Sequence, residues 1–351
     1  MSGIGELAAA NLASPIILSF ALGLAAALAR SDLAVPEAAA KALSIYLLFA
    51  IGFKGGVAVA AHGLDARLAL ALLAGVALSA LLPFVAFALL RALARLDRLN
   101  AAAVAAHYGS ISIVTFVAAT SVLQGRGIAS EGYLVAVAAA MEAPAILSAL
   151  WLVSRGDRRG PGDAADGDPG VGSGADAGPS ATAGVGARVD AHLWREILFN
   201  GSIVLLAGAF LIGLVTGADG LAEIEGFIVA PFKGALCLFL LDMGIVAGRG
   251  LLRSRGAITP ALVLFGLAMP PIGATAGLGA GVALGLSIGG TMLLMTLSAS
   301  ASYIAVPAAM RVALPEADPG IYLTLSLGVT FPFNLTLGIP LYLAVAGAFA
   351  G

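Results

Sequence analysis

The chain has 351 residues, of which 60% are hydrophobic and 11% charged, and its mean hydropathy is +1.03. So little charge excludes a soluble globular domain and marks an integral membrane protein. The formal net charge of −2 says nothing about partners, and nucleic acid is not expected among them.

Apolar stretches of seventeen or more residues recur along the sequence, each long enough for a helix to cross a hydrocarbon core of about 30 Å. In chain order ten spans are predicted: Leu12–Ala29, Leu43–Ala61, Leu68–Leu90, Ala101–Val122, Tyr133–Val153, Phe199–Val215, Phe227–Ala247, Ile258–Gly277, Gly285–Val312 and Ile321–Phe349. The alternating strands of an outer-membrane barrel are absent from the pattern, so the expected fold class is an all-α polytopic membrane protein. Residues Met1–Ala10 carry Glu6 and no Lys or Arg, which favours a retained first helix over a cleaved signal. The single Cys237 lies mid-span and reads as a small core residue.

Between the fifth and sixth spans the sequence turns to Gly, Ala, Asp and Pro, and apolar periodicity is lost. Residues 154–195 therefore read as a flexible cytoplasmic linker between two five-helix units, 1–153 and 196–351. Fourteen Lys and Arg residues, among them Arg30, Arg91, Arg249 and Arg311, fall on one side of the predicted spans, against Arg67 and Arg126 on the other. The rich side is expected to be cytoplasmic, in the inner membrane of the cell, with both termini outside.

Five spans on each side of a linker would place duplicated halves in opposite orientations. Motifs pair accordingly: "LLFAIGFKGG" with "FLLDMGIVAG", "GSISIVTF" with "SASASYIAVP", and "YLVAVAAAMEAPA" with "YLTLSLGVTFPFN". They align Gly52 with Gly244, Ser110 with Ser300, Ser112 with Ser302, Tyr133 with Tyr322 and Pro144 with Pro332, at offsets of 192, 190, 190, 189 and 188. An inverted repeat is the architecture of secondary transporters, whose substrate site falls near the midplane between the copies.

Ser110 and Ser112, like Ser298, Ser300 and Ser302, recur at every second residue, so one helical face cannot present them all. A helix break beside Gly109 and another beside Pro307 would let them converge, with freed N–H groups for an anion and carbonyl or hydroxyl oxygens for a small cation. The competing explanation is that small hydroxyl residues permit close packing and bond back to their own helix. Glu142 and Asp242 are acids deep in predicted spans and thus candidate coupling acids or members of satisfied pairs. Pro332 and Asn334 offer a freed carbonyl and an amide. Lys54 and Lys233 read as snorkelling or paired residues, and His107 as a helix-packing histidine.

Enzyme chemistry finds little footing. Zinc-protease, nucleophile-elbow and P-loop motifs are all absent from the sequence. An intramembrane hydrolase would need Ser110 and His107 to face each other, although they are only three residues apart; a non-transporting sensor is the other alternative class.

At "HYGSISIVTF", "AAAMEAPAI", "LSASASYIAVPAAMRVALPEADPGIYL" and "SLGVTFPFNLTLGIPLY" the chain resembles the cyanobacterial sodium-dependent bicarbonate transporter family. The resemblance implies ten helices in two inverted repeats, divided into a scaffold or gate part and a transporting core, and a homotrimer. It further implies elevator-like symport of bicarbonate with sodium as co-substrate, without other cofactors, and a PII-like regulator on the cytoplasmic face. Carried over, the anion cradle is Gly109, Ser110, Ser112 and Thr115 facing Ser300 and Ser302. The sodium set is Ser110, Ser298, Ser300, Thr330, Phe331 and Asn334, with Glu142 nearby. The chain departs from the family at Tyr303 and Ala305, where cyanobacterial members carry an acid and then small and proline-rich positions, and at Glu142, where a shorter acid is usual. Another small carboxylate as cargo, or proton coupling through Glu142, are the alternatives within the transporter class.

Overall fold

A computed structural model describes residues 13–63, 66–157, 201–253 and 258–350, which form helices and no strands. The helices are α1 Pro15–Leu28, α2 Glu37–His62, α3 Ala66–Leu93, α4 Arg98–Gly109, α5 Ile113–Gly125, α6 Leu134–Ala140 and α7 Ala143–Asp157. They continue as α8 Gly201–Ile228, α9 Phe232–Arg253, α10 Pro260–Ala283, α11 Ile288–Ala299, α12 Ala305–Ala313 and α13 Pro319–Phe349. Of the predicted linker, only the first turn is described, where it continues α7; the rest lies outside the described residues.

Among the described residues eight helical stretches are long and apolar enough to cross a membrane, with α4–α5 and α6–α7 each counting as one. The other two predicted spans are shorter as helices: α1 has 14 residues and α11 has 12, roughly 21 and 18 Å. Two predicted spans take a finer form. The predicted span Gly285–Val312 is α11 followed by a break and the short α12. The predicted Phe199–Val215 does not stop at Val215 but bends at Gly217, where φ is 60°. Only glycine adopts such a backbone at little cost. The chain then folds back along α2, so that the Phe227 carbonyl accepts from Tyr46 at 2.6 Å.

Helix starts are set by short polar side chains or proline. Ser14, Asp97, Ser112, Thr259, Ser287 and Asp318 each accept a first-turn N–H, and Pro15, Pro260 and Pro319 occupy first positions. In α13, π turns occur over Thr324–Thr330 and Asn334–Gly338, flanking Pro332, which has no N–H to return to the preceding turn.

Packing follows from glycine. A Cβ at Gly23 would overlap the Leu241 carbonyl and one at Gly244 the Phe20 carbonyl, so α1 and α9 touch backbone to backbone. Gly56 and Gly213 do the same for α2 and α8, against Phe210 and Phe53. Between apolar surfaces in lipid there is no hydrophobic gain from helix association, so close van der Waals approach must hold such pairs. Leucines such as Leu18, Leu22, Leu73 and Leu211 are exposed on α1, α3 and α8. By contrast α4 from Ala101 to Gly109, and α11 from Gly289 to Ala299, are buried throughout. Non-helical backbone at membrane depth is tolerated only inside such a protein sheath.

Two polar clamps fix the ends of the sheathed helices. Asn100 Oδ1 accepts from the Asp318 N–H at 2.7 Å, joining the starts of α4 and α13. The Glu131 carboxylate accepts from Ser287 N and Oγ at 2.7 and 2.9 Å, joining the loop after α5 to the start of α11.

Gly56→Ala must push α2 off α8, and we expect it to cost about 1–3 kcal/mol. Gly208→Ala, in the same helix pair but with nothing within 4 Å of an added Cβ, is expected to melt no lower than wild type. Thermal unfolding of the two purified variants checks the contrast.

Candidate functional site

The apolar run around Ser110 forms two half-helices, because α4 ends at Gly109 and α5 starts at Ile113. Gly109 sits where α4 presses on α3, and a Cβ there would overlap Pro83. Ser110 then turns extended, with φ −85° and ψ 170°, and Ser112 caps α5 by accepting from Thr115 N at 3.2 Å. The second interruption is alike. The chain leaves α11 at Ser300, with φ −84° and ψ 162°, and re-enters helix at Ala305, with Pro307 in the first turn of α12.

The two interruptions cross and bind each other. Ser302 N donates to the His107 carbonyl at 2.8 Å. Ser112 N donates to Ser300 Oγ at 2.9 Å, and that hydroxyl donates onward to the Leu297 carbonyl at 2.8 Å. Each broken strand thus returns a hydrogen bond to the last turn of the opposite half-helix, directly in one case and through a serine in the other. His107 itself is a packing residue: it is buried, Nδ1 bonds the Ala103 carbonyl at 2.7 Å, and the ring stacks on Tyr322 at 4.4 Å.

Around the crossing the predicted residues divide into two kinds. Ser112, Ser300, Thr330 and Asn334 are committed to the framework. Thr330 Oγ1 donates to the Gly266 carbonyl at 2.7 Å, so the 2.6 Å contact with Tyr108 has the phenol as donor. Asn334 Nδ2 donates to the Ala299 carbonyl at 2.9 Å and its Oδ1 accepts from Tyr342 at 2.8 Å, placing α13 against the end of α11. Ser302 Oγ accepts only a long 3.4 Å contact from Val306 N. Ser110, Thr115 and Ser298, by contrast, are buried with hydroxyls that meet no partner, as is one carboxylate oxygen of Glu142.

These free groups, like those of Ser121 and Ser326, differ from the hydroxyls that bond back along their own helices. Ser19, Thr120, Thr216, Thr275, Thr296 and Thr336 all donate to the carbonyl four residues earlier, as hydroxyls in apolar helices do. A buried hydroxyl without a partner costs about 1–3 kcal/mol. Clustered at two helix breaks, such groups form a polar site with unused donors and acceptors.

Glu142 lies in the interruption between α6 and α7 and lines one small cavity with Ser112, Ser302 and Tyr303. That cavity measures about 10 Å³, room for one water-sized group and not for a four-atom anion. Asp242 is placed elsewhere, buried on α9 within electrostatic reach of Arg249. Lys54 is satisfied structurally, its ammonium lying 3.9 Å from the Phe232 ring centroid.

Tyr303 has a place that sequence reading marked only as a departure. Its hydroxyl points toward Ser112 without completing an ordinary hydrogen bond. Its ring packs edge-on against Phe331 at 5.3 Å, and Phe331 packs likewise against Phe20 at 5.3 Å. Tyr303 and Ile304 wall the small cavity on one side and close a cavity of about 680 Å³, rimmed by Arg249 and Arg253, on the other. Phe331 is therefore a ring support for Tyr303. Among the described residues no cluster of His, Cys, Asp and Glu could hold a transition metal; hydroxyl and carbonyl oxygens of this kind suit a hard monovalent or small divalent cation.

No curated protein matches the sequence. A family profile does, over residues 15–347, nearly the whole chain. The chain belongs to the Na+-dependent bicarbonate transporter superfamily and is a multi-pass membrane transporter rather than an enzyme.

Proposed function

We propose that the protein is a sodium-coupled symporter of bicarbonate, with anion and sodium held together where the two broken helices cross. The observation that carries this reading is the set of unpartnered hydroxyls of Ser110, Thr115 and Ser298 in or next to the two breaks, with Glu142, which also has an unpartnered oxygen, lining the small cavity with Ser112 and Ser302. Hydroxyl oxygens replace the water of a bare sodium ion, and hydroxyl hydrogens donate to the anion. Sodium neutralises the anion's charge, so the doubly loaded core crosses a low-dielectric layer at far lower cost than the anion alone.

The same reading takes residues 1–153 and 196–351 as inverted five-helix repeats of a ten-span protein, joined by a cytoplasmic linker over 154–195. Several geometric coincidences at one spacing support it. Ser110 and Ser300, 190 residues apart, leave their helices with the same backbone angles. The bond from Ser302 to His107 has its counterpart, again 190 residues apart at both ends, in the relay from Ser112 to Leu297. Position 83 packs on the end of α4 and position 273 on the end of α11, once more at that spacing. The pairings of α1 with α9 and of α2 with α8 exchange first- and second-half partners as a pseudo-twofold axis would require. An elevator-like movement of a core past a scaffold, a homotrimer, external termini and a PII-like regulator at the arginine-rich face belong to this proposal. Tyr303 would be the barrier on the cytoplasmic side, since the larger cavity ends on it.

Proton coupling is a second reading with its own observation: Glu142 is buried beside the crossing with an oxygen free. One assay separates the two. Labelled bicarbonate should enter proteoliposomes at least about tenfold faster with an inward sodium gradient than without one. Uptake driven equally well by a proton gradient, and lost in Glu142→Gln, would establish proton coupling instead.

The two kinds of serine should also separate. Ser300→Ala strips a partner from both Ser112 N and Leu297 O and is expected to cost about 1–3 kcal/mol in thermal unfolding. Ser298→Ala removes no hydrogen bond and should leave stability unchanged while reducing sodium-driven uptake by at least about tenfold. Wild-type uptake in Ser298→Ala would remove that hydroxyl from the ion site.

A further inference from the structure

Opposite the arginine-rich end, a cavity of about 390 Å³ opens between the N-terminal ends of α1 and α9, walled by the outer half of α5 and by α13. Two cations line it, Arg126 and Lys233, and among the described residues neither has an acidic partner. Their placement differs physically. Arg126 follows the C-terminus of α5, where a positive charge is favourable. Lys233 occupies the first turn of α9, where the positive end of the helix dipole opposes it. Into the same cavity faces Ser121, 4% exposed, with a hydroxyl that has no partner. Among the described residues, an exposed lysine with no acidic partner on a helix N-terminus, a second exposed cation and a buried free hydroxyl share this cavity, and the ligand chemistry that suits all three is a small anion that accepts hydrogen bonds.

The cavity is also on the way to the crossing. Ser121 stands nine residues beyond Ser112 on α5, roughly 13 Å along the axis. On the far wall, Leu335 lines the cavity one position after Asn334, which holds the end of α11.

We propose that this cavity is an outer binding site for a small oxyanion, formed by Arg126, Lys233 and Ser121, where the transported anion is collected before it reaches the crossing. The assignment of the anion as cargo rests on the transport reading above; the anion site itself does not. Opposite charges at such range raise local anion concentration and accelerate capture, an effect that salt screens.

The protein carries its own reporter, because Cys237, its one cysteine, is half-buried and lines this cavity. The test uses the purified full-length protein and two thiol reagents of matched size, the anionic sulfonatoethyl and the cationic trimethylammonioethyl methanethiosulfonates. The ratio of their labelling rates at Cys237 should fall about tenfold in Arg126→Gln/Lys233→Gln, because removing both charges slows one reagent and speeds the other. Bicarbonate should slow labelling of the wild type by the anionic reagent and not that of the double variant. An unchanged ratio in the double variant, with wild-type melting temperature, overturns the proposal whatever the uptake assay gives. An altered ratio together with failed bicarbonate uptake supports the anion site and overturns the transport reading alone.

Discussion

A peptide group inside a membrane has no water to turn to, and every interruption of a helix there must find its hydrogen bonds within the protein. That constraint organises this molecule. Helices α4 and α11 stop short, at Gly109 and Ala299, and the extended residues beyond them satisfy each other across the crossing, Ser302 with His107 and Ser112 with Leu297 through Ser300. Neither break could stand alone in a low-dielectric core, where an unmet backbone group costs several kcal/mol. The surrounding architecture follows: α1, α2, α3, α8, α9 and α10 face outward with exposed leucines, valines or isoleucines, while the broken helices run through their centre.

Once the backbone is satisfied, what is left over becomes informative. The crossing uses Ser112 and Ser300 as structural links and Thr330 and Asn334 as braces, yet leaves Ser110, Thr115, Ser298 and one oxygen of Glu142 without partners in a buried place. Ser19, Thr120, Thr216, Thr275, Thr296 and Thr336 bond back along their own helices, whereas Ser121 and Ser326 are also without partners. The difference lies in geometry: Ser110 has left helical conformation, and Thr115 sits in the first turn of α5, where the residue four places earlier is Ile111, in the break itself. The helix interruptions that create the crossing therefore also leave the Ser110 and Thr115 hydroxyls without a carbonyl on their own helix.

Much of this was legible in the sequence, and for identifiable reasons. Serines at every second position cannot share a helical face, so a break near Gly109 followed from spacing alone, and the pairing of "GSISIVTF" with "SASASYIAVP" put its partner near Ser300. Hydropathy located the apolar stretches but could not see where they end, because a glycine such as Gly217 or a run such as Ser300–Ile304 is as apolar or small as its neighbours while its backbone leaves the helix. Spacing likewise could not divide serines that link from serines that wait, since that depends on which carbonyl lies across the crossing. Tyr303 was visible only as an unexpected ring in a small-residue motif; its position between two cavities comes from the fold. Arg126 and Lys233 lie far apart in sequence, and only the approach of α1, α5 and α9 brings them to one cavity.

The central claim is that the free hydroxyls at the crossing are ion ligands. It is tested most directly by a high-resolution experimental map of the protein in lipid, recorded with sodium and bicarbonate and again with both withheld. The account predicts added density within hydrogen-bonding or coordination distance of Ser110 and Ser298 in the first map, with the Ser302–His107 and Ser112–Ser300 links retained in both. Added density confined to another part of the molecule, with Ser110 and Ser298 unchanged between the two maps, would contradict it.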